Sequence, residues 1–478
     1  MVSMRIRSVY PLIKHISSTQ PSVSFNFVAN GRSLATGSFQ RKKRTRGSRR
    51  TPDWETQSWE ERLADTVTPL WRLSYEEQLQ LKQEQQHKIL LALSAQLNQF
   101  ASLSSSENKL TFPLLPIVPS PVQNGYRNKS TFSINKGVDG NPKTVGFYIG
   151  TGKSGNIVCI HGDHLLNMPP KHIMVASHYE KFIRLSPLPP CIVFHDGGHW
   201  REITVRTNSA GNTMAIVYFH PQSLTAEDIS MHKAALVEYF IHGPGAACQL
   251  DSLYFQESTM TRCTHQESPF QLLYGEPHIH EEALGFKFRI SADSFFQVNR
   301  GAAEALYRTV EKLNRNCGAG VLLDVCCGTG AIGISLSPKV EKVIGIELVE
   351  QAVEDAKHNA AINGVQNCEF ISGKAEVILP DLIPNLNTGR GLMAVVNPSR
   401  SGLHYRVIRA LRNHPAIRRL IYISCKPEGE ATRNFRELCC SSDKHRKLTG
   451  EPFKLTVAVP VDMFPHTPHC ELVLVFER

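Results

Sequence analysis

The first 52 residues of this 478-residue chain contain no aspartate and no glutamate. They contain eleven of the 53 Lys and Arg residues, so the other residues carry 42 basic and 43 acidic side chains. The formal charge of +10 therefore belongs to the N-terminus, and the nearly neutral body is not marked by its charge as a nucleic-acid-binding protein. An acid-free segment rich in Arg, Ser and Thr predicts a mitochondrial transit peptide, and hence a matrix protein. The basic run at 41–46 leaves a nuclear signal or a basic RNA-binding arm as the alternative.

The chain also lacks long apolar runs and Cys-x-x-Cys pairs. No stretch approaches the roughly 20 apolar residues that a membrane span needs, so we expect no membrane partner. All twelve cysteines lie between Cys159 and Cys470, and the two adjacent pairs at 326–327 and 439–440 have a poor spacing for zinc. We therefore expect no metal site, no disulfide framework and mostly buried, reduced thiols.

The length predicts two or three domains behind the 1–52 leader. Residues 53–109 are predicted to form a helical segment and a linker, with a polar break at 102–108. Residues 110–280 are predicted to form a β-rich domain, because 201–207 and 215–219 alternate around a Gly-Asn turn, as in a hairpin.

Residues 281–478 are predicted to form an α/β domain. Short apolar strands alternate with helical runs at 350–363 and 405–413, which indicates a parallel sheet with helices on both faces. The tail predicts a terminal antiparallel pair at 454–459 and 471–476. The five predicted strands of the parallel part are 321–325, 343–347, 368–371, 393–396 and 420–424.

A glycine-rich turn follows the first of these strands. Gly328 and Gly330 stand where a backbone must approach a ligand closely, and Glu347 ends the next strand, where an acid commonly takes ribose hydroxyls. With Gly333, the spacing also fits Gly-x-Gly-x-x-Gly, so a nicotinamide cofactor remains an alternative. Asp324, immediately before the turn, is instead similar to the signature of class I S-adenosylmethionine methyltransferases.

The order of the motifs resembles the RNA (uracil-C5)-methyltransferase family, in particular its animal tRNA branch, over about residues 110–478. The resemblance implies a Rossmann-like class I methyltransferase domain after a β-rich RNA-binding domain. It also implies S-adenosylmethionine-dependent formation of 5-methyluridine in transfer or ribosomal RNA. The motifs that carry it are Phe295-Phe296-Gln297-Val298-Asn299, the Asp324 turn, Glu347, Asn397-Pro398-Ser399-Arg400, Ser424-Cys425-Lys426-Pro427 and His469-Cys470-Glu471.

Carried over position by position, the resemblance implies five cofactor residues and two catalytic ones. Those expected to contact S-adenosylmethionine are Gln297, Glu347 and Asn397, with Cys326 and Gly328 lining it through the turn. Cys425 is expected to be the nucleophile and Glu471 the proton acceptor. RNA is the expected partner, and we expect a monomer.

The chemistry explains why a thiol and a carboxylate are needed together. C5 of uracil is a poor nucleophile, so a thiolate first adds to C6, and a base later removes the C5 proton so that the thiolate leaves. Cys425 follows an apolar strand, and Lys426 beside it either lowers the pKa of the thiol or points to solvent. Cys470 is a rival nucleophile, but adjacent strand residues face opposite sides, so it is not expected to share a site with Glu471.

Several features leave other interpretations open. Asn397 stands where the family usually has Asp, and Asn-Pro is similar to the loop of amino-group N-methyltransferases, although Arg400 occupies the place of their stacking aromatic residue. An N-methyltransferase and a non-catalytic RNA-binding or assembly factor are therefore the alternatives. His466 and His469 are candidates to position RNA or the base. In the β-rich region, 126–129 offer either stacking and phosphate contacts to an extruded nucleotide or an ordinary basic strand edge.

Overall fold

The structure is a computed structural model that describes residues 56–101, 110–150, 157–192, 197–259, 268–314, 320–386, 389 and 391–478. The predicted leader at 1–52 and the polar break at 102–108 lie outside these residues. Residues 53–478 belong to one compact unit.

Two helices open the described chain, as the sequence predicts. Ser58 caps the first of them with a capping box to Glu61, which satisfies two backbone donors that the helix itself leaves unpaired. The two helices are α1 (Trp59–Val67) and α2 (Tyr75–Ala101).

A seven-stranded sheet follows, in the order β3-β2-β1-β4-β5-β6-β7. The predicted hairpin is confirmed as the antiparallel pair β4–β5, while β5 and β6 run parallel. Two helices within this region were not predicted, and they pack with α1 on one face of the sheet. The elements are β1 (Lys129–Asn135), β2 (Thr144–Ile149), β3 (Val158–Ile160), α3 (Pro170–Leu185), β4 (Trp200–Thr207), β5 (Thr213–Phe219), α4 (Ala226–Val237), β6 (Ser252–Glu257) and β7 (Phe270–Gly275).

A two-stranded hairpin and a long helix lead from this sheet into the C-terminal part. They are β8 (Ile279–Ala283), β9 (Phe286–Ile290) and α5 (Arg300–Asn314). Their apolar side chains join those of β5 and β6 and one face of the C-terminal sheet in a common core, so the two sheets are packed together through this segment.

The C-terminal sheet has the order β12-β11-β10-β13-β14-β16-β15, in which only β16 pairs antiparallel with β14 and with β15. Its central strands are buried on both faces and are therefore almost continuously apolar. This arrangement confirms the predicted Rossmann-like domain and terminal pair. The elements are β10 (Val321–Val325), α6 (Ala331–Leu336), β11 (Lys342–Glu347), α7 (Glu350–Ile362), β12 (Cys368–Ser372), α8 (Ala375–Leu382), β13 (Leu392–Val396), α9 (Tyr405–Asn413), β14 (Ile417–Ser424), α10 (Ala431–Cys439), β15 (Lys454–Val461) and β16 (Glu471–Glu477).

Helix α2 packs on the C-terminal sheet and not on the sheet that follows it in sequence. Leu90 and Leu93 are buried in the apolar cluster formed by α8, α9, α10 and one face of the sheet. Within the described part of the chain, no helix has the length and apolar character that a membrane crossing requires. Nor do His, Cys, Asp and Glu gather there in a group that could hold a metal ion.

Candidate active site

Strand pairing brings Cys425 and Glu471 together. Ser424, the last residue of β14, pairs with Leu472 of the antiparallel β16. Cys425 follows the first of these residues and Glu471 precedes the second, so both lie at the carboxyl edge of the sheet, where α/β folds bind ligands. Burial raises the pKa of the Cys425 thiol, and the nearby Glu471 carboxyl raises it further.

Glu471 has the environment of a general base. Its side chain is buried, and burial raises its pKa to about 7. Among the described residues its carboxyl has no hydrogen-bond partner. A carboxyl with a pKa near neutrality and free lone pairs accepts and releases protons readily at physiological pH.

Arg400 is the third residue of the site, and no catalytic role for it was predicted from the sequence. Its guanidinium lies near both side chains, and it lowers the pKa of the Cys425 thiol and that of Glu471 against the effect of burial. Lys426, the sequence candidate for activating the thiol, is exposed and is not among the groups that shift the pKa of Cys425. The local cation at the thiol is therefore Arg400, which stabilises the thiolate form.

The neighbouring residues of the 469–471 motif differ in their surroundings. Cys470 is buried beside Lys82 and Asp462, and burial raises the pKa of its thiol to about 12, so it is a protonated core thiol. This environment fits the strand alternation that separates Cys470 from Glu471. The His469 side chain reaches the surface near Arg400. Partial burial of its ring lowers the pKa of His469, and the positive charge of Arg400 lowers it further.

The glycine-rich turn lies at the same edge, after β10. Gly328 has a φ of 55°, and Cys326 has a φ of 64°, a left-handed conformation that is strained for a residue with a side chain. The turn is tied to the next strand by Glu347, whose carboxylate accepts hydrogen bonds from the backbone N–H groups of Gly328, Leu348 and Val349. A Cβ on Gly328 would meet nothing closer than 4.0 Å, so the turn is open on that side.

Gln297 and Asn397, the two amide residues expected to contact the cofactor, are held in the structure by their backbones. Gln297 is held through its backbone, because its carbonyl accepts from Asn128 Nδ2 at 2.8 Å, and Asn397 donates its backbone N–H to Val325 at 3.1 Å. Neither side-chain amide has a hydrogen-bond partner in the described ranges. The structure thus places Cys326, Gly328, Glu347 and Asn397 at the carboxyl ends of β10, β11 and β13. Gln297 lies in the segment between β9 and α5, two residues after Phe295, whose carbonyl approaches Gly328.

Asp324, beneath the turn, is a second buried acid. One carboxyl oxygen accepts from the Gly333 N–H at 2.9 Å, while the other is buried and unpaired. Burial raises its pKa to about 7. Asp324 is thus a buried acid that ties the turn to helix α6 through Gly333.

Within the 126–129 segment, Tyr126 is buried and the residues at 127–129 are partly exposed. The stacking role for Tyr126 is wrong, because its ring is buried and its hydroxyl donates to the Pro465 carbonyl at 3.1 Å. Lys129 lies directly opposite Arg206 in the β1–β4 pair. Burial and the neighbouring arginines Arg206 and Arg127 lower the pKa of Lys129 to about 7. These three cations form no ion pair with any described carboxylate.

Comparison with known proteins gives one consistent picture. The sequence model of the family described as tRNA (Uracil-5-)-methyltransferase matches residues 248–478. The chain is 67% identical over 476 residues to the tRNA (uracil-5-)-methyltransferase homolog B of Danio rerio, covering 100% of this chain and 99% of that protein. It is 60% identical over 426 residues to the Homo sapiens protein of the same name, covering 88% and 84% of the two chains.

Among solved structures, the chain is similar to a Pyrococcus abyssi tRNA (uracil-54, C5)-methyltransferase in complex with S-adenosyl-L-homocysteine. The TM-score is 0.57 at 24% identity, with 85% of this chain and 84% of that chain covered. At this identity the likeness establishes the fold alone.

Proposed function

Because the chain belongs to the tRNA (uracil-5-)-methyltransferase family, we propose that it methylates C5 of a uridine in mitochondrial tRNA through a covalent bond to Cys425. Membership makes the chain an S-adenosylmethionine-dependent RNA methyltransferase. The observation that carries the finer proposal is the meeting of Cys425, Glu471 and Arg400 at the carboxyl edge of the sheet.

The residues of the turn fit the cofactor. When bound, S-adenosylmethionine supplies an electrophilic methyl group. The open side of Gly328 accommodates close backbone approach. The Glu347 carboxylate already accepts three backbone hydrogen bonds and keeps lone-pair capacity on Oε2 for a ribose hydroxyl. The amides of Gln297 and Asn397, which have no hydrogen-bond partner among the described residues, offer donors and acceptors for its polar groups.

Arg400 and Cys425 begin the reaction. Arg400 stabilises the Cys425 thiolate, which forms a bond to C6 of the uracil and leaves C5 with enolate character. C5 then takes the methyl group. An Asn at 397 still offers a hydrogen-bond acceptor, although it lacks the charge of the usual Asp.

Glu471 ends the reaction. In its carboxylate form it removes the proton from C5, and the electron pair of that bond expels the Cys425 thiolate from C6. The products are 5-methyluridine, the demethylated cofactor and a proton that Glu471 returns to solvent. The pKa of about 7 for Glu471 suits this use, because the carboxyl must be both ionised before the step and basic enough to take the proton.

The target base must leave its stack to reach this edge. Phe295 is 63% exposed beside the glycine-rich turn, where its ring is available to stack on an extruded base. Lys129 and Arg127, which are partly exposed and form no ion pair with a described carboxylate, are suited to bind backbone phosphate.

Transfer RNA in mitochondria is the substrate we favour. The names of the relatives support tRNA, and the acid-free 1–52 segment supports mitochondrial import. Ribosomal RNA remains a second substrate to be tested. The paired Cys425 and Glu471 have no use in an N-methyltransferase or in a non-catalytic binding factor, and the two alternatives are therefore disfavoured.

Product identification tests the proposal. Purified protein is incubated with methyl-labelled S-adenosylmethionine and mitochondrial tRNA or rRNA transcripts, and the digested nucleosides are identified by mass spectrometry. We expect 5-methyluridine from tRNA, lost in Cys425→Ala and retained in the matched control Cys248→Ala, whose thiol is buried in the apolar core of the first sheet. A methyl group on a base nitrogen, or no transfer despite RNA and cofactor binding, would overturn the proposal.

A further inference from the structure

The loop between β15 and β16, residues 462–470, ends directly at Glu471. It reaches its position through contacts with helix α2, which lies nearly 400 residues earlier in the chain. Three α2 side chains at i, i+3 and i+7 form one stripe towards this loop. They are Tyr75, Gln78 and Lys82.

Lys82 forms a fully buried ion pair with the loop. Its Nζ lies 2.6 Å from Asp462 Oδ1 and donates to the Phe464 carbonyl at 3.0 Å. Tyr75 donates its hydroxyl proton to the other Asp462 oxygen at 3.0 Å. Cys470, the residue before the base, is buried against this pair. The ion pair thus lies immediately behind the residue that presents Glu471.

Gln78 holds the middle of the loop. Its Oε1 accepts from the His466 N–H at 2.7 Å, and its Nε2 donates to His466 Nδ1 at 3.2 Å. His466 has a φ of 67°, a left-handed conformation that costs free energy for a residue with a side chain. On its other side, His466 Nε2 lies 2.7 Å from Asn124 Oδ1. These bonds on both sides keep His466 in the strained conformation.

Burying Lys82 and Asp462 costs desolvation free energy, so this ion pair attaches the helix less efficiently than apolar contacts would. A buried ion pair rarely stabilises a fold more than apolar residues of the same size, and its best-supported use is to fix one arrangement. Farther along the same helix, Leu90 and Leu93 pack in the apolar cluster and hold α2 against the C-terminal half. The polar part of α2 therefore has a separate task.

We infer that Gln78 and Lys82 are positioning residues for catalysis, through which helix α2 fixes the 462–470 loop and so aims Glu471 at the C5 proton. This inference rests on the proposed function and assigns a catalytic task to residues that precede the 248–478 segment matched by the family model. It predicts that loosening the loop slows proton removal while leaving the attack of Cys425 intact.

The test uses Gln78→Met, which keeps the side-chain volume and removes both hydrogen bonds to His466, together with the bond from Nε2 to the Leu73 carbonyl just before α2. With unmodified RNA and S-adenosylmethionine, a slow last step leaves RNA bonded to Cys425, visible as a protein–RNA band on a denaturing gel. We expect the band to accumulate and turnover to fall roughly 10- to 100-fold. Formation of the band in a single turnover should stay within about twofold of wild type, because the change is confined to the base step.

Two further variants make the outcome decisive. Glu471→Gln is the reference for a missing base, and Leu93→Ala is the matched control that loosens α2 without touching the loop. Leu93→Ala should lower the melting temperature without accumulating the band. If Glu471→Gln traps RNA and Gln78→Met does not, the positioning role is overturned and the proposed function stands. If Glu471→Gln turns over normally, both the positioning role and the proposed function are overturned.

Discussion

Burial of Glu471 makes it a suitable base and also lowers the free energy of unfolding at high pH. Its burial raises the pKa from the ordinary value of 4.5 to about 7, so the folded protein binds its proton more tightly than the unfolded chain. At pH values between 4.5 and about 7, the Glu471 carboxyl ionises more readily in the unfolded chain than in the folded protein. The free energy of unfolding therefore falls as pH rises through this range. A shift of this size corresponds to about 3 kcal/mol.

Replacing the base should therefore stabilise the protein at high pH. Glu471→Gln is neutral at every pH, so we expect its melting temperature to match wild type near pH 4, below the ordinary pKa of the carboxyl, and to exceed it at pH 8, by up to about 3 kcal/mol in unfolding free energy. Thermal unfolding of the RNA-free protein across this range checks the prediction. Equal stability of the two proteins at pH 8 would show that Glu471 is not buried as the structure places it.

At the scale of elements, strand periodicity and turn chemistry made the Rossmann-like half predictable. The predicted strand 321–325 and helix 405–413 coincide with β10 and α9, and the terminal pair is present. Because strand ends in such a sheet share one edge, the approach of Cys425 to Glu471 followed from the order of the motifs. Local pattern and local geometry agree there.

What could not be predicted depends on contacts between distant segments. The sequence indicated that α2 is a helix, but not that Gln78 and Lys82 are buried against residues 462–466. The same limit explains Tyr126, which looks available for stacking in sequence and is covered by Pro465 in the fold. It also explains Arg400, whose position near the thiol depends on the path of an irregular loop after β13.

At the scale of the whole molecule, RNA affinity has to come from local charge. Without the 1–52 segment the body carries 42 basic and 43 acidic residues, so no general field attracts RNA. Lys129 and Arg206 are like charges directly opposite each other across β1 and β4, an arrangement that destabilises the free protein. Arg206 is buried and donates to the Ser294 carbonyl, so a phosphate that relieves this repulsion would bind at the partly exposed Lys129.

Removing the charge of Lys129 should affect the stability of the free protein and its RNA binding in opposite directions. We expect Lys129→Met to raise the melting temperature of the free protein, to weaken RNA binding, and to reduce the slope of log affinity against log salt by about 0.7–0.9. Salt-dependent binding titrations measure this. The matched control is Lys312→Met, an exposed cation in the last turn of α5, which should change neither quantity. An unchanged salt slope in Lys129→Met would show that Lys129 does not contact an RNA phosphate.

The attack of Cys425 on C6 of a uridine can be observed by covalent trapping on tRNA that contains 5-fluorouridine. Fluorine at C5 cannot be removed by the base, so the adduct cannot resolve. We expect a complex that survives denaturation, requires S-adenosylmethionine, maps to Cys425, is lost in Cys425→Ala and persists in Cys470→Ala. A wild-type protein that binds this RNA and the cofactor but forms no covalent complex, or a complex that persists in Cys425→Ala, would contradict it.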